Sequence, residues 1–495
     1  YSYPINHLLK IPSSSPMNGW KFSFFTWAVY LPVLSNWIAA PSGRRGLRRP
    51  PRRISAGGPR PVLQCASAAQ PNTLPRTMLL ILTTLLTGAL SSSVAVSTPP
   101  DHGLVFQGAD EVVSEVSARS LPDLPAAQVL LGRAFTAVSK MPEVPHLKTR
   151  ARLKEDLVEA WLDAGGPVEE AWVWVEQISN WRRALGAAAI AVHHADAGHA
   201  AAAEAALVRA EQFERALTEP SEQGWRRDRV RARIGLAHAK LGDKVRAARI
   251  QARIDPTEGG VLTVHAAGVL DPDLIEPQAE LLFRIAREGT SEEARFALEG
   301  VTRFYGRVHG DSELRDRLYE RAIGSWSQIP LVPRIEILEG FIEGDLEHEA
   351  TSLASEKIGR MEALVVGSKV LLEDQVALRA RVARLRGLAG EMEAGRAMAD
   401  QALAKYDELR DAINSIWRGR ALRPLAAAYQ VLGKEMIAGD LFERALVEAQ
   451  LNPNSRPRVE DLVKTSIAIA ASGLTPDASL EQALERVARS LGEPW

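Results

Sequence analysis

Apolar residues recur along most of this chain at steps of three and four, the period of a helix with one buried face. The clearest stretch is 420–450. In its first arm Leu422, Leu425, Tyr429 and Leu432 share a face; in its second, Met436, Leu441, Phe442, Ala445, Leu446 and Ala449 do the same. Gly433 stands between the arms, where a residue without a side chain takes the left-handed conformation that ends a helix. Ala426, Ala438 and Ala445 fall where two antiparallel helices cross and let the backbones approach, with Tyr429 and Phe442 filling the space on either side. A helical hairpin is predicted. Pro424 lies inside the first arm, which is therefore expected to start late or to kink.

This hairpin resembles a tetratricopeptide repeat, a helix-turn-helix unit of about 34 residues with large and small residues at fixed places. Leu425, Ala426, Tyr429, Gly433, Ala438, Phe442, Ala445 and Leu446 carry the resemblance. Leu422 departs from it where Trp is usual, and the closing proline comes late, at Pro453. An ordinary hairpin of an unrelated helical bundle is the alternative.

Weaker copies extend upstream. Aligning turn glycines on Gly433 picks out Gly166, Gly198, Gly242, Gly289, Gly344 and Gly390. Five places on, the small residue recurs as Ala171, Ala203, Ala247, Ala294 and Gly395, while Glu349 breaks the series with Ala350 beside it. The spacing mostly exceeds the usual repeat, so longer or additional helices are expected, with joints at prolines such as Pro220, Pro256, Pro330 and Pro333. A single hairpin cannot bury its apolar face, but stacked neighbours can. The resemblance thus implies an all-α fold, an α-α superhelix (solenoid) of tetratricopeptide-like hairpins over 146–495. Segment 478–491 reads as its capping helix. Strand signals reduce to the short run Val261–Val264, and 98–145 reads as a linker followed by two leading helices, 109–119 and 126–140.

The N-terminal region is different. Residues 1–77 contain no Asp or Glu and ten Lys and Arg, among them Arg44, Arg45, Arg48 and Arg49, so a formal net charge of -1 for all 495 residues leaves -11 on the remainder. Residues 43–61, rich in Pro, Arg and Gly, read as disordered, and the whole basic and aromatic extension 1–77 is expected to form a disordered N-terminal region. The whole extension reads as lying outside the working protein; a targeting segment and a basic arm for acidic partners are the competing readings. Met78–Leu90 is a short apolar core followed by small residues at Ser93 and Ala95, the pattern of a cleaved secretory signal over 78–97. Export, to a periplasm or outside the cell, is expected, with a cytoplasmic location as the alternative. Membrane contact is expected only through an uncleaved 78–97 segment.

Composition narrows the chemistry. One cysteine, Cys65, excludes an internal disulfide framework and a cysteine-rich zinc site. The acidic body speaks against nucleic acid held by its phosphates. No phosphate-cradling glycine loop, dinucleotide fingerprint or nucleophile elbow is present. His193, His194, Asp196 and His199 form the densest group of metal-ligand types, but His194 occupies the packing position of Tyr429, which favours a structural role. Among Trp161, Trp172, Trp174 and Trp181, Trp172 shares a stripe with Val175 and Ile178, so Trp174 is the expected exposed member. Basic runs at 226–233 and 379–386 read as helix faces balanced by nearby acids.

The expectation is a non-enzymatic scaffold, without cofactor, metal or catalytic residues, that binds a peptide or protein partner. The resemblance places this partner in a groove lined by first-arm helices; Trp174, Arg233 and Arg420 are the candidate contacts. Two alternatives remain: an enzyme or a ligand- or metal-binding protein using the helical shell, and an intracellular adaptor.

Overall fold

The computed structural model describes residues 125–217, 224–254 and 272–495. All 18 longer elements among them are α-helices. Helix α1 (Ala126–Ser139) leads into α2 (Glu143–Asp163) and α3 (Val168–Glu176). Then follow α4 (Arg182–Asp196) with α5 (Ala200–Arg215), and α6 (Gly224–Lys240) with α7 (Lys244–Gln251). Beyond residue 271 come α8 (Pro272–Glu288), α9 (Ser291–Arg307) with α10 (Ser312–Ser325), and α11 (Leu331–Glu347) with α12 (Thr351–Val366). The last hairpins are α13 (Leu372–Leu388) with α14 (Met392–Leu409), α15 (Ser415–Val431) with α16 (Glu435–Gln450), and α17 (Ser455–Ser472) with α18 (Ala478–Arg489). The leading helix expected at 109–119, the Val261–Val264 run and the 78–97 segment lie outside the described residues.

Local chemistry starts and ends these helices. Asp243, Asp311 and Asp477 each accept a hydrogen bond from the backbone N–H three residues on, and Thr290 with Glu293 completes a reciprocal capping box. The arms turn through left-handed residues at Gly198, Gly242, Gly390 and Gly433. Three expected turn glycines depart from that left-handed pattern. Gly165, not Gly166, takes the left-handed conformation; Gly166 instead lies against the Trp161 indole, where a Cβ would come within 2.4 Å of it. Gly344 lies inside α11 against Tyr305, and Glu349 makes that turn with φ 57°. Gly289 makes the turn between α8 and α9, which pack on each other, without a positive φ.

The 420–450 hairpin is the α15–α16 pair. Leu425, Ala426, Tyr429, Ala438, Phe442, Ala445 and Leu446 are all buried in it. Met436 is the exception on the expected face: it is exposed at the start of α16 and the next residue, Ile437, turns inward. Pro424 neither delays nor ends α15, which runs from Ser415 through it. A proline inside a helix costs about 3 kcal/mol, but packing on α13, α16 and α17 buries Leu422, Leu425 and Tyr429 around it and outweighs that loss.

First arms lie side by side. Helix α9 packs on α11, α11 on α13, α13 on α15 and α15 on α17, while α2 packs on α4 and α4 on α6. The two series are joined by α17, which packs on both α1 and α2. Among the described residues, helices from both ends of the described chain are thus packed into one array. This overturns the expectation that 478–491 caps the stack. Leu480, Ala483, Leu484 and Val487 of α18 are buried as its periodicity predicts, but α1 stands beyond it: the Lys140 ammonium donates to the carbonyl of Ala488 at 3.1 Å and Arg133 faces Glu481 at 4.0 Å.

Candidate functional site

Charged side chains run from one first arm to the next. Arg295 of α9 faces Glu336 of α11 at 3.9 Å. Arg381 and Arg384 of α13 bond to Glu339 of α11, and Arg384 also reaches Glu343 at 2.8 Å. Asp374 of α13 accepts from Arg420 of α15 at 3.0 Å, and Arg423 of α15 bonds Asp461 of α17 at 2.7 Å. Across the junction of chain ends Arg152 of α2 meets Glu460 of α17 at 3.4 Å. Arg182 of α4 pairs with Glu155 of α2, and Arg233 of α6 with Glu159 of α2. The result is a band of guanidinium–carboxylate pairs along the first arms, planar forks well matched to carboxylates.

The band sets the protonation of its acids. Burial acts to raise the Glu339 carboxyl, but Arg381 and Arg384 outweigh it and hold it below its ordinary value. Asp156 on α2 goes the other way: burial, with Glu155 alongside, pushes it up to about 7 against the pull of Arg152 and Arg182. The same surface thus holds ionised carboxylates beside one poised near neutrality.

Second arms carry a parallel set of pairs: Arg209–Glu176, Arg246–Glu204, Arg317–Glu276, Arg321–Glu280, Arg444–Asp407 and Arg486–Glu443. Partners on corresponding helices sit 41, 42 or 43 residues apart in most of these pairs, and 41 or 42 in Arg384–Glu343 and Arg381–Glu339. The structural period is thus longer than the about 34 residues of the repeat it resembles, as the glycine spacing suggested.

The three candidate contacts fare differently. Arg420 lies half-exposed on α15, over the Trp417 ring at 5.4 Å as well as against Asp374. Arg233 is committed to Glu159. Trp174 is not exposed: it retains 3% of its accessible surface, stacks on Phe135 at 4.3 Å and donates to Glu170 at 2.8 Å. Trp172 is the outward member, with Arg209 over its ring at 3.9 Å. The buried stripe of α3 runs Ala171, Trp174 and Val175 and continues to Ile178 just beyond the helix.

The histidine cluster disperses. Ring centroids of His193 and His194 are 6.0 Å apart and those of His194 and His199 5.9 Å, and Asp196 is taken by Lys240. Among the described residues no group of three metal-ligand side chains gathers around one point. The basic runs are absorbed by neighbours: Arg231 by Glu214 and Asp228, Arg386 by Glu362 and Glu391.

One further cluster was not anticipated. Asp345 of α11, fully buried, accepts hydrogen bonds from the Tyr305 hydroxyl and, at 2.8 Å, from the Lys357 ammonium, while His309 lies 3.2 Å from it and stacks on His348 at 4.3 Å. Its polar atoms are spent on one another, so it fastens α9, α11 and α12 together. No short sequence motif marks it, because Tyr305 and Asp345 are 40 residues apart; recurrence of opposite charges at about that interval was the available signal.

The fold defines the chain as an α-solenoid of helical hairpins. Neither the family models nor the curated proteins with which the chain was compared contain a match to it. Among the described residues no helix is long and apolar enough to cross a membrane.

Proposed function

We propose that this protein is a non-enzymatic scaffold whose hairpins are of the tetratricopeptide kind and whose first-arm face binds a peptide or protein partner. The observation that supports the reading is the continuity of that face: eight first arms, from α9 through α17 and on through α2 to α6, follow one another with charged side chains along their edges. A row of paired charges favours a partner that carries both signs, since it exchanges one fork for another at little electrostatic cost, and discriminates against one that leaves a fork unmatched. Arg420 with Trp417 is the part of the row best suited to an anchoring contact, because a half-exposed guanidinium over an indole presents a planar, weakly hydrated surface. The proposed location is outside the cytoplasm, on the apolar core and small residues of 78–97.

Affinity capture from the native source with the full chain as bait tests this reading. A partner that is retained by the unaltered protein and by Arg444→Glu on a second arm, but lost from a Trp417→Ala/Arg420→Glu variant of unchanged circular dichroism, is the expected result. Equal retention by both variants overturns the first-arm assignment. N-terminal sequencing of the natural protein tests export, which requires a mature end near Val96.

A further inference from the structure

A second site lies where α5, α6 and α7 come together. A cavity of about 440 Å³ opens there, and its lining is dominated by cations: Arg215, Arg231, Arg246, Arg249 and Arg253, with Glu211 and Glu214 as the acids. Three of the five arginines are matched. Arg215 faces Glu211, Arg231 faces Glu214 and Asp228, and Arg246 faces Glu204 and Asp243. Arg249 and Arg253 stand one helical turn apart with no ion pair among the described residues. Two unmatched guanidiniums at that spacing correspond in charge to one dianion.

The cavity also contains a buried group in want of a partner. His238, at the end of α6, keeps 1% of its accessible surface and lines the cavity. Neither ring nitrogen makes a hydrogen bond among the described residues, although Nε2 lies 3.5 Å from a Glu211 carboxylate oxygen. A buried polar atom left without a partner costs about 1–3 kcal/mol, so a fold that keeps an imidazole there gains when a ligand supplies the missing acceptor or donor. Ile234 and Ile250 complete the lining and give it an apolar wall.

We propose that this cavity binds a phosphate-bearing small molecule, with Arg249 and Arg253 holding the phosphate, His238 bonding to it from the wall and the isoleucines receiving its apolar part. Phosphate suits the site better than a monocarboxylate because it brings two charges near neutrality and acceptor oxygens on several sides, one for each fork and one for the imidazole. The volume suits a small ligand, within the range of about 300–1,000 Å³ typical of such pockets. Four of its five arginines lie on α5, on α7 or just beyond α7, and only Arg231 is on the first arm α6, so the site is separate from the proposed anchoring contact at Trp417 and Arg420.

Titration of the full chain with inorganic phosphate, glycerol phosphate and succinate, followed by calorimetry and by phosphorus NMR, tests the proposal. Saturable binding of both phosphates, at least tenfold tighter than succinate at equal ionic strength, is expected. Tighter binding of glycerol phosphate than of inorganic phosphate identifies an organic ester as the ligand; the reverse order identifies the free anion. Arg249→Ala/Arg253→Ala, two exposed positions whose replacement leaves the fold intact, should weaken phosphate at least tenfold, and His238→Leu should do so with an unaltered helical spectrum. Absence of saturable phosphate binding, or binding unchanged in the double arginine variant, overturns the proposal.

Discussion

Arg152 of α2 and Glu460 of α17 are separated by 308 residues in the chain and by 3.4 Å in space. Their contact marks the place where the two ends of the described chain are built into one stack. Helix α1 packs on α17, and α2 on both, so the interface rests mainly on buried apolar side chains such as Leu130, Leu131, Leu462 and Val463. The ion pair adds direction to it. Glu460→Arg should lower the melting temperature, at a cost of about 1 kcal/mol typical of a partly exposed pair. Adding Arg152→Glu should recover most of it. Scanning calorimetry of the three variants measures this coupling, and a double variant no more stable than the single one would sink the role assigned to the pair.

Arg423 and Asp461 offer the opposite case. Both are buried, and the Arg423 guanidinium lies 2.7 Å from the carboxylate. Arg423→Leu strands the carboxylate between α15 and α17, so a loss of about 3–5 kcal/mol is expected. Arg423→Leu/Asp461→Leu should lose less than the single change, because no charge is left stranded. Urea denaturation at neutral pH distinguishes the two.

Asp156 makes the stability of the fold depend on pH. Its folded value of about 7 lies above the ordinary 3.8, so between those values the folded state binds the extra proton. Its contribution is fully present below about pH 4 and is lost as pH rises toward and through 7. Asp156→Asn, which stays neutral throughout, should flatten that decline. Denaturation midpoints at pH 5 and pH 8 provide the comparison: the gap between them should be smaller in the variant than in the unaltered protein.

Trp174 and Trp172 should respond in inverse order to the one their sequence stripe suggests. Trp174→Ala removes a buried ring stacked on Phe135 and should cost about 3–5 kcal/mol. Trp172→Ala removes a ring only partly buried and packed under Arg209, and should cost about 1 kcal/mol or less. Equal costs measured in urea would contradict the orientation of α3.

Two glycines should change stability with opposite signs. Gly433 turns with φ 68°, and alanine there adopts a conformation that costs an L-residue about 1 kcal/mol. Gly359 lies inside α12 with open space around its Cβ position. Gly359→Ala should therefore stabilise the protein by about 0.5–1 kcal/mol. Thermal melting of both variants reads the difference directly.

Helical periodicity was legible in the sequence because it depends on neighbours three and four residues apart. So was the α15–α16 hairpin, down to the crossing alanines, Tyr429, Phe442 and the left-handed Gly433, since each of those positions is set within about 20 residues. Local rules also misled where packing competed with them. Pro424 sits in an unbroken helix because three neighbouring helices bury its surroundings, and Trp174 points inward because its ring packs on Phe135 of α1 and Trp161 of α2. Gly344 resembles a turn glycine, but α11 continues through it to Glu349. The return of the chain onto its own beginning, through α17 against α1 and α2, follows from no local pattern: apolar stripes state that a face must be covered and not by which helix. The cavity among α5, α6 and α7 has the same origin, since five arginines spread over 39 positions become one site only when three helices bring them together. Local sequence determined which segments are helices and most of the faces they bury; the tertiary structure alone decided the order in which they stack, because that order is chosen by contacts between residues 41 or 42 positions apart from arm to arm and 308 apart where α17 meets α2.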